Sequence, residues 1–151
     1  MTRLLLTTFI ILSAIGTTQA AGQYGDNRSL GALVGLYGPG IGGLFSYAQP
    51  FPIEGLQRSG LGLVIEGQLG AGVGDDDVTI AGMVGPKLVF VMNNTTDLYI
   101  GVGIGGEIIP DAGIGAGGNL GLNFDLNGTR LFAEGGVHPG NHFYLGTGLR
   151  F

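Results

Sequence analysis

Large apolar residues alternate with small or polar ones along most of this chain, with a period of two. The clearest stretch is Leu98-Tyr99-Ile100-Gly101-Val102-Gly103-Ile104-Gly105, where even positions hold Leu, Ile, Val and Ile and odd positions are mostly Gly. A helix would scatter these residues around its circumference, whereas a strand sorts them onto two faces. From 113 to 126, Ile114, Ala116, Leu120, Leu122, Phe124 and Leu126 share one face. Gly115, Gly117, Asn119, Gly121, Asn123 and Asp125 share the other. Leu61, Leu63, Ile65 and Leu69 likewise oppose Gly62, Val64, Glu66, Gln68 and Gly70. Phe143, Leu145, Leu149 and Phe151 oppose His142, Tyr144, Gly146, Gly148 and Arg150.

Turn signals punctuate the alternation at Gly38-Pro39-Gly40, Gln49 to Gly60, Gly74-Asp75-Asp76-Asp77, Asn93 to Asp97, Pro110-Asp111, Asn127-Gly128 and Pro139-Gly140-Asn141. Asn-Gly between two alternating runs is a strong hairpin signal, because both residues tolerate the positive φ of a type I′ turn. The punctuation predicts an all-β chain of eight strands at 29–37, 40–48, 60–72, 78–91, 98–109, 113–126, 129–138 and 142–151. A two-residue turn at Asn127-Gly128 sets Asp125 opposite Arg130, Gly121 opposite Glu134 and Asn119 opposite Gly136. A three-residue turn at Pro139-Gly140-Asn141 sets His138 opposite His142.

Composition decides which face meets what. Of 151 residues, 33 are glycine, about three times the usual share, and they crowd the face that a soluble sheet would fill with long polar residues. Glycine weakens a strand, so this abundance suggests a space where large side chains do not fit. The interior of a narrow closed barrel is such a space. The apolar face then meets lipid, which needs strands of about 9–11 residues and a closed sheet without edges. The reading is an eight-stranded antiparallel up-and-down transmembrane β-barrel. With the even strand count, both ends of the chain fall on one side, read as periplasmic. Phe45, Tyr47, Phe90, Tyr99, Phe124, Phe132 and Phe151 cluster near that rim, Tyr99 and Phe132 turned inward by the alternation. Tyr37, Phe143 and Tyr144 mark the outer rim.

The first twenty residues form a separate segment. Arg3 supplies a positive start, an apolar run extends from Leu4 to Ile15, and Thr18-Gln19-Ala20 offers small residues for cleavage after Ala20. This reads as a secretory signal peptide at 1–20, with a barrel domain at 21–151. The absence of cysteine removes disulfide scaffolds and thiol chemistry. A formal charge of −5 with no basic stripe argues against nucleic acid, and a mean hydropathy of +0.40 argues against disorder.

The signal peptide, eight alternating strands and terminal Phe151 resemble the small eight-stranded bacterial outer-membrane barrels of the OmpA and OmpX type. The segment Phe143-Tyr144-Leu145-Gly146-Thr147-Gly148-Leu149-Arg150-Phe151 is similar to the C-terminal assembly signal of such barrels. The resemblance implies location in the bacterial outer membrane and contact with its lipid. It also implies recognition of Phe151 by the barrel assembly machinery during biogenesis. One departure is that the outer loops are very short, unlike those of adhesins of this type.

The inward face collects Glu66, Gln68, Lys87, Glu107, Asn119, Asn123, Asp125, Arg130, Glu134, His138, His142 and Arg150. Buried charges must be paired. Glu66, Lys87, Glu107, Asp125, Arg130, Glu134 and Arg150 are therefore expected to form a network filling the lumen, with Asp125 and Arg130 as a cross-strand pair. His138, His142 and Glu134 could bind a metal, and Asp75-Asp76-Asp77 could attract calcium, but turn roles account for both groups. Two G-x-G-x-x-G matches, from Gly101 and from Gly113, open no helical pattern.

The expectation is a non-enzymatic monomeric barrel with a structural or minor pore role, without cofactor or metal. A lipid A-modifying enzyme is the first alternative. It needs a nucleophile and base at the outer rim, and Ser29, Ser46 and Ser59 lie far in sequence from both histidines. A helical glycine-zipper protein, suggested by Gly31-x-x-x-Gly35, is the second.

Overall fold

The computed structural model describes residues 30–74 and 77–151. The signal segment and Asp75-Asp76, with the calcium reading placed on them, lie outside the described residues. Eight strands follow in order: β1 Leu30–Tyr37, β2 Gly40–Phe51, β3 Leu61–Val73, β4 Val78–Asn93, β5 Thr96–Ile109, β6 Gly113–Leu126, β7 Thr129–His138 and β8 His142–Arg150. A single helical turn, α1 (Glu54–Gln57), sits between β2 and β3. Each strand pairs antiparallel with the next, and β1 pairs with β8 to close the barrel.

The predicted registers at the two hairpins hold. Asp125 stands opposite Arg130, Gly121 opposite Glu134, Asn119 opposite Gly136, and His138 opposite His142. Asn127 and Gly128 both take positive φ, 53° and 82°, as the tight turn requires. Three strand ends move by two residues or more. β2 runs on to Phe51, with Pro50 facing Val64, because a proline costs a sheet little where its missing N–H leaves no ladder bond broken. β4 and β5 extend to a two-residue turn, so Asn93 pairs with Thr96.

A path perpendicular to the strands runs Arg130, Arg150, Gly31, Ser46, Gln68, Met83, Gly105, Gly115. The β6–β7 register carries it on to the level of Gly140, a stagger of about ten residues along the strand where it began, and this stagger is the shear that closing a tilted sheet requires. The connections 38–39, 74–77, 110–112 and 139–141 make one rim, here the upper. The lower rim holds Leu30, Phe151, the 52–60 connection and the turns at 94–95 and 127–128.

Burial is inverted relative to a soluble sheet. Ile114 is 96% exposed, Ile41 75% and Ile104 69%, while Glu134, Glu66 and Lys87 are buried at 2–4%. The outward side chains make a continuous apolar surface of the kind lipid solvates. Tyr99 and Phe132 point inward as the alternation requires. Tyr37 and Tyr144, near the upper rim, do so too: both are buried and stack in the upper lumen, ring centroids 6.1 Å apart, which leaves Phe143 as the exposed one of the three aromatics there. The inward glycines make room for these rings. A Cβ on Gly70 would run into the Tyr37 ring, and one on Gly121 into the hydroxyl end of Tyr99. Residues 30–51 form two strands, so the glycine-zipper reading of that segment is overturned.

Candidate functional site: the charged lumen

β3, β4, β7 and β8 each contribute inward side chains to the middle of the bore, where Glu134 is the centre of a network. Its carboxylate accepts from Gln68 Nε2 at 2.8 Å and from the Tyr144 hydroxyl at 2.7 Å, with Lys87 Nζ at 3.4 Å. Lys87 also pairs with Glu66, and Arg150 Nη1 lies 3.7 Å from the same carboxylate. Two carboxylates thus face two cations, all buried. This balance offsets the desolvation that an unpaired ion would suffer.

Below the network, Arg150 Nε donates to Asn123 Oδ1 at 2.9 Å, and its guanidinium lies 4.5 Å from the Phe132 ring centre. Lys87 Nζ stands 4.1 Å over the Tyr99 ring. Aromatic faces contribute favourably to such desolvated cations. At the lower mouth Arg130 pairs with Asp97. The predicted Asp125–Arg130 pair is therefore corrected. The half-buried Asp125 carboxylate instead accepts the Gly128 N–H at 3.2 Å and serves the turn.

The upper lumen holds a chain whose proton positions follow from one another. Glu134 accepts from Gln68 Nε2, so Gln68 turns its carbonyl oxygen to His138 Nε2, 3.1 Å away. A carbonyl only accepts, which places the imidazole proton on Nε2. His138 Nδ1 is then the acceptor for the Tyr37 hydroxyl at 2.6 Å. One carboxylate at mid-bore thereby sets an amide, a tautomer and a phenol above it. At the rim, His142 Nε2 and Glu107 Oε1 approach to 2.8 Å.

Of the seven charged residues expected in one lumen network, Glu66, Lys87, Glu134 and Arg150 are joined at mid-bore, Arg130 and Glu107 pair separately with Asp97 and His142 towards the two ends, and Asp125 accepts from the turn. The upper-lumen phenols and Asp97 were missed, although alternation from Tyr99 marks Asp97 as inward. A cavity of about 10 Å³ remains between Glu66, Lys87, Gly101 and Asn119, room for about one water. Asn119 Oδ1 is buried there without a protein hydrogen bond.

Among the described residues, neither Ser46 nor Ser59 stands at the upper rim as a nucleophile would. Ser46 is buried within the bore, and Ser59 is on the lower connection, at the opposite rim from His138 and His142. Ser29 lies outside the described residues. Among the described residues, no three His, Asp or Glu side chains converge as metal ligands do.

No family model matches the chain, and no curated protein matches it. Among solved structures it is similar to the Yersinia pestis outer membrane protein Ail in a phospholipid bilayer nanodisc. The TM-score is 0.51 at 15% identity, over 82% of this chain and 99% of that one. The likeness is one of fold: this chain has the architecture of a small eight-stranded outer-membrane β-barrel.

Proposed function

We propose that this chain is an integral, non-enzymatic protein of the bacterial outer membrane, exported by a signal peptide cleaved after Ala20. It acts as a monomeric structural barrel whose bore passes at most small currents. The observation that carries this reading is Glu134. A buried carboxylate tied to Gln68, Tyr144 and Lys87 at mid-bore joins four strands across the space through which a solute would travel. In this reading the upper rim faces the cell exterior and the lower rim the periplasm; the even strand count, which puts both termini on one side, supports it. The short upper connections leave no long loop for binding a host or substrate molecule above the membrane.

Planar-bilayer recordings on the refolded protein test the closed bore. The expected record is a quiet baseline with, at most, rare small openings. Steady large conductance steps would overturn the closed-bore reading.

A further inference from the structure

The 52–60 connection is the longest in the barrel, and its chemistry is uneven. Phe51 ends β2 on the outward face, 57% exposed, and Ile53 follows at 39%; none of the α1 residues is buried. The side chains of Glu54 and Arg58 pair at 3.7 Å, 90% and 81% exposed. The backbone closes on itself: the N–H groups of residues 56–60 all donate within the connection, and the Gly60 carbonyl accepts from Val91 N at 3.1 Å. With the donors of residues 56–60 satisfied, that part of the connection can leave bulk water at small cost. Its apolar edge continues the lipid-facing surface of β2.

We propose that residues 51–58 are an interfacial foot. Phe51 and Ile53 sit at the acyl boundary of the adjacent leaflet, while the Glu54–Arg58 pair stays in the aqueous headgroup layer. The partner is the phospholipid surface itself. The inference rests on the membrane-spanning reading above and extends it to a segment outside the strands.

The chain has no tryptophan, so a single introduced one reports its own surroundings. Ile53→Trp, Arg58→Trp and Leu120→Trp are refolded into vesicles of phosphatidylcholine with or without brominated acyl chains. Leu120 lies on the outward wall of β6 and is the internal reference. Folding of each variant is verified by its far-UV β-sheet spectrum. The expected result is loss of emission at position 53 comparable with that at 120, and little loss at 58. Quenching at 120 with none at 53 overturns the foot, including in favour of a soluble protein partner at that edge. Equal quenching at 53 and 58 overturns the proposed orientation of the segment. Folded variants unquenched at all three positions mean that the barrel reading itself fails.

Discussion

Arg130 and Asp97 form an ion pair across the lower mouth, reaching over the intervening strand, although the residue directly opposite Arg130 is Asp125. Register fixes which backbones are neighbours, and a long guanidinium then chooses among the carboxylates within its reach. Asp125 is engaged by the turn through the Gly128 N–H. Asp97, one strand further on, stands inward with its side chain only 14% exposed.

A double-mutant cycle separates these partners. Arg130→Ala and Asp97→Ala are each expected to destabilise by about 1.5–3 kcal/mol, the range for hydrogen bonds to charged groups. Their double variant should lose clearly less than the sum. Arg130→Ala with Asp125→Ala should be close to additive. Urea unfolding in lipid vesicles at one pH near neutral measures all the terms. Strong coupling of Arg130 to Asp125 and none to Asp97 contradicts the pairing.

Glu134 is expected to be the most sensitive polar position. Glu134→Ala leaves Lys87 with one carboxylate partner shared with Arg150 and removes the acceptor for Gln68 and Tyr144, so a loss of about 3–5 kcal/mol is expected. Tyr144→Phe removes one bond of that network and should cost about 1 kcal/mol. The same unfolding assay ranks them; a larger loss from Tyr144→Phe would displace Glu134 as the centre.

Glycine's role in the lumen is steric. Gly70→Ala places a methyl group against the Tyr37 ring, which is fixed by His138 above it, and a loss of roughly 1–3 kcal/mol is expected from overpacking. Gly67→Ala on the outward face of the same strand meets nothing within 4 Å and should be near neutral. Equal effects at 67 and 70 would mean that strand propensity, rather than space in the bore, explains the glycines.

Phe151 is outward and 63% exposed, and its backbone pairs with Leu30 at 2.8 and 3.3 Å. One exposed side chain at a strand end contributes little to the folded barrel. Deleting Phe151 should therefore lower the amount assembled in cells more than it lowers the unfolding midpoint of purified protein. Normal assembly in cells would remove it as a recognition signal.

The eight strands were legible because the alternation is nearly unbroken and each turn carries Gly, Pro, Asn or Asp. Leu98 to Gly105 and Gly113 to Leu126 announce both period and faces. The register around Asn127-Gly128 was legible because a two-residue turn leaves one arrangement. Three features were not. β2 runs past Pro50 because proline is read as a breaker, while here it occupies a tolerant ladder position. The stacking of Tyr37 on Tyr144 escaped because alternation turns Tyr144 inward without saying which strand closes the barrel beside it. The Arg130 partner escaped because side-chain reach across a strand is set by the curvature of the closed barrel, which local pattern does not encode.

The central claim, an outer-membrane barrel with its short connections outward, is tested most directly by surface labelling. The chain has no cysteine, so Asp111→Cys on the upper rim and Asn94→Cys on the lower are unique targets. An impermeant maleimide added to whole bacteria, with and without lysis, reads both. The account predicts labelling at 111 in intact cells and at 94 only after lysis. Labelling at 94 but not at 111 in intact cells reverses the orientation, and protection of both until lysis contradicts a barrel that spans the outer membrane.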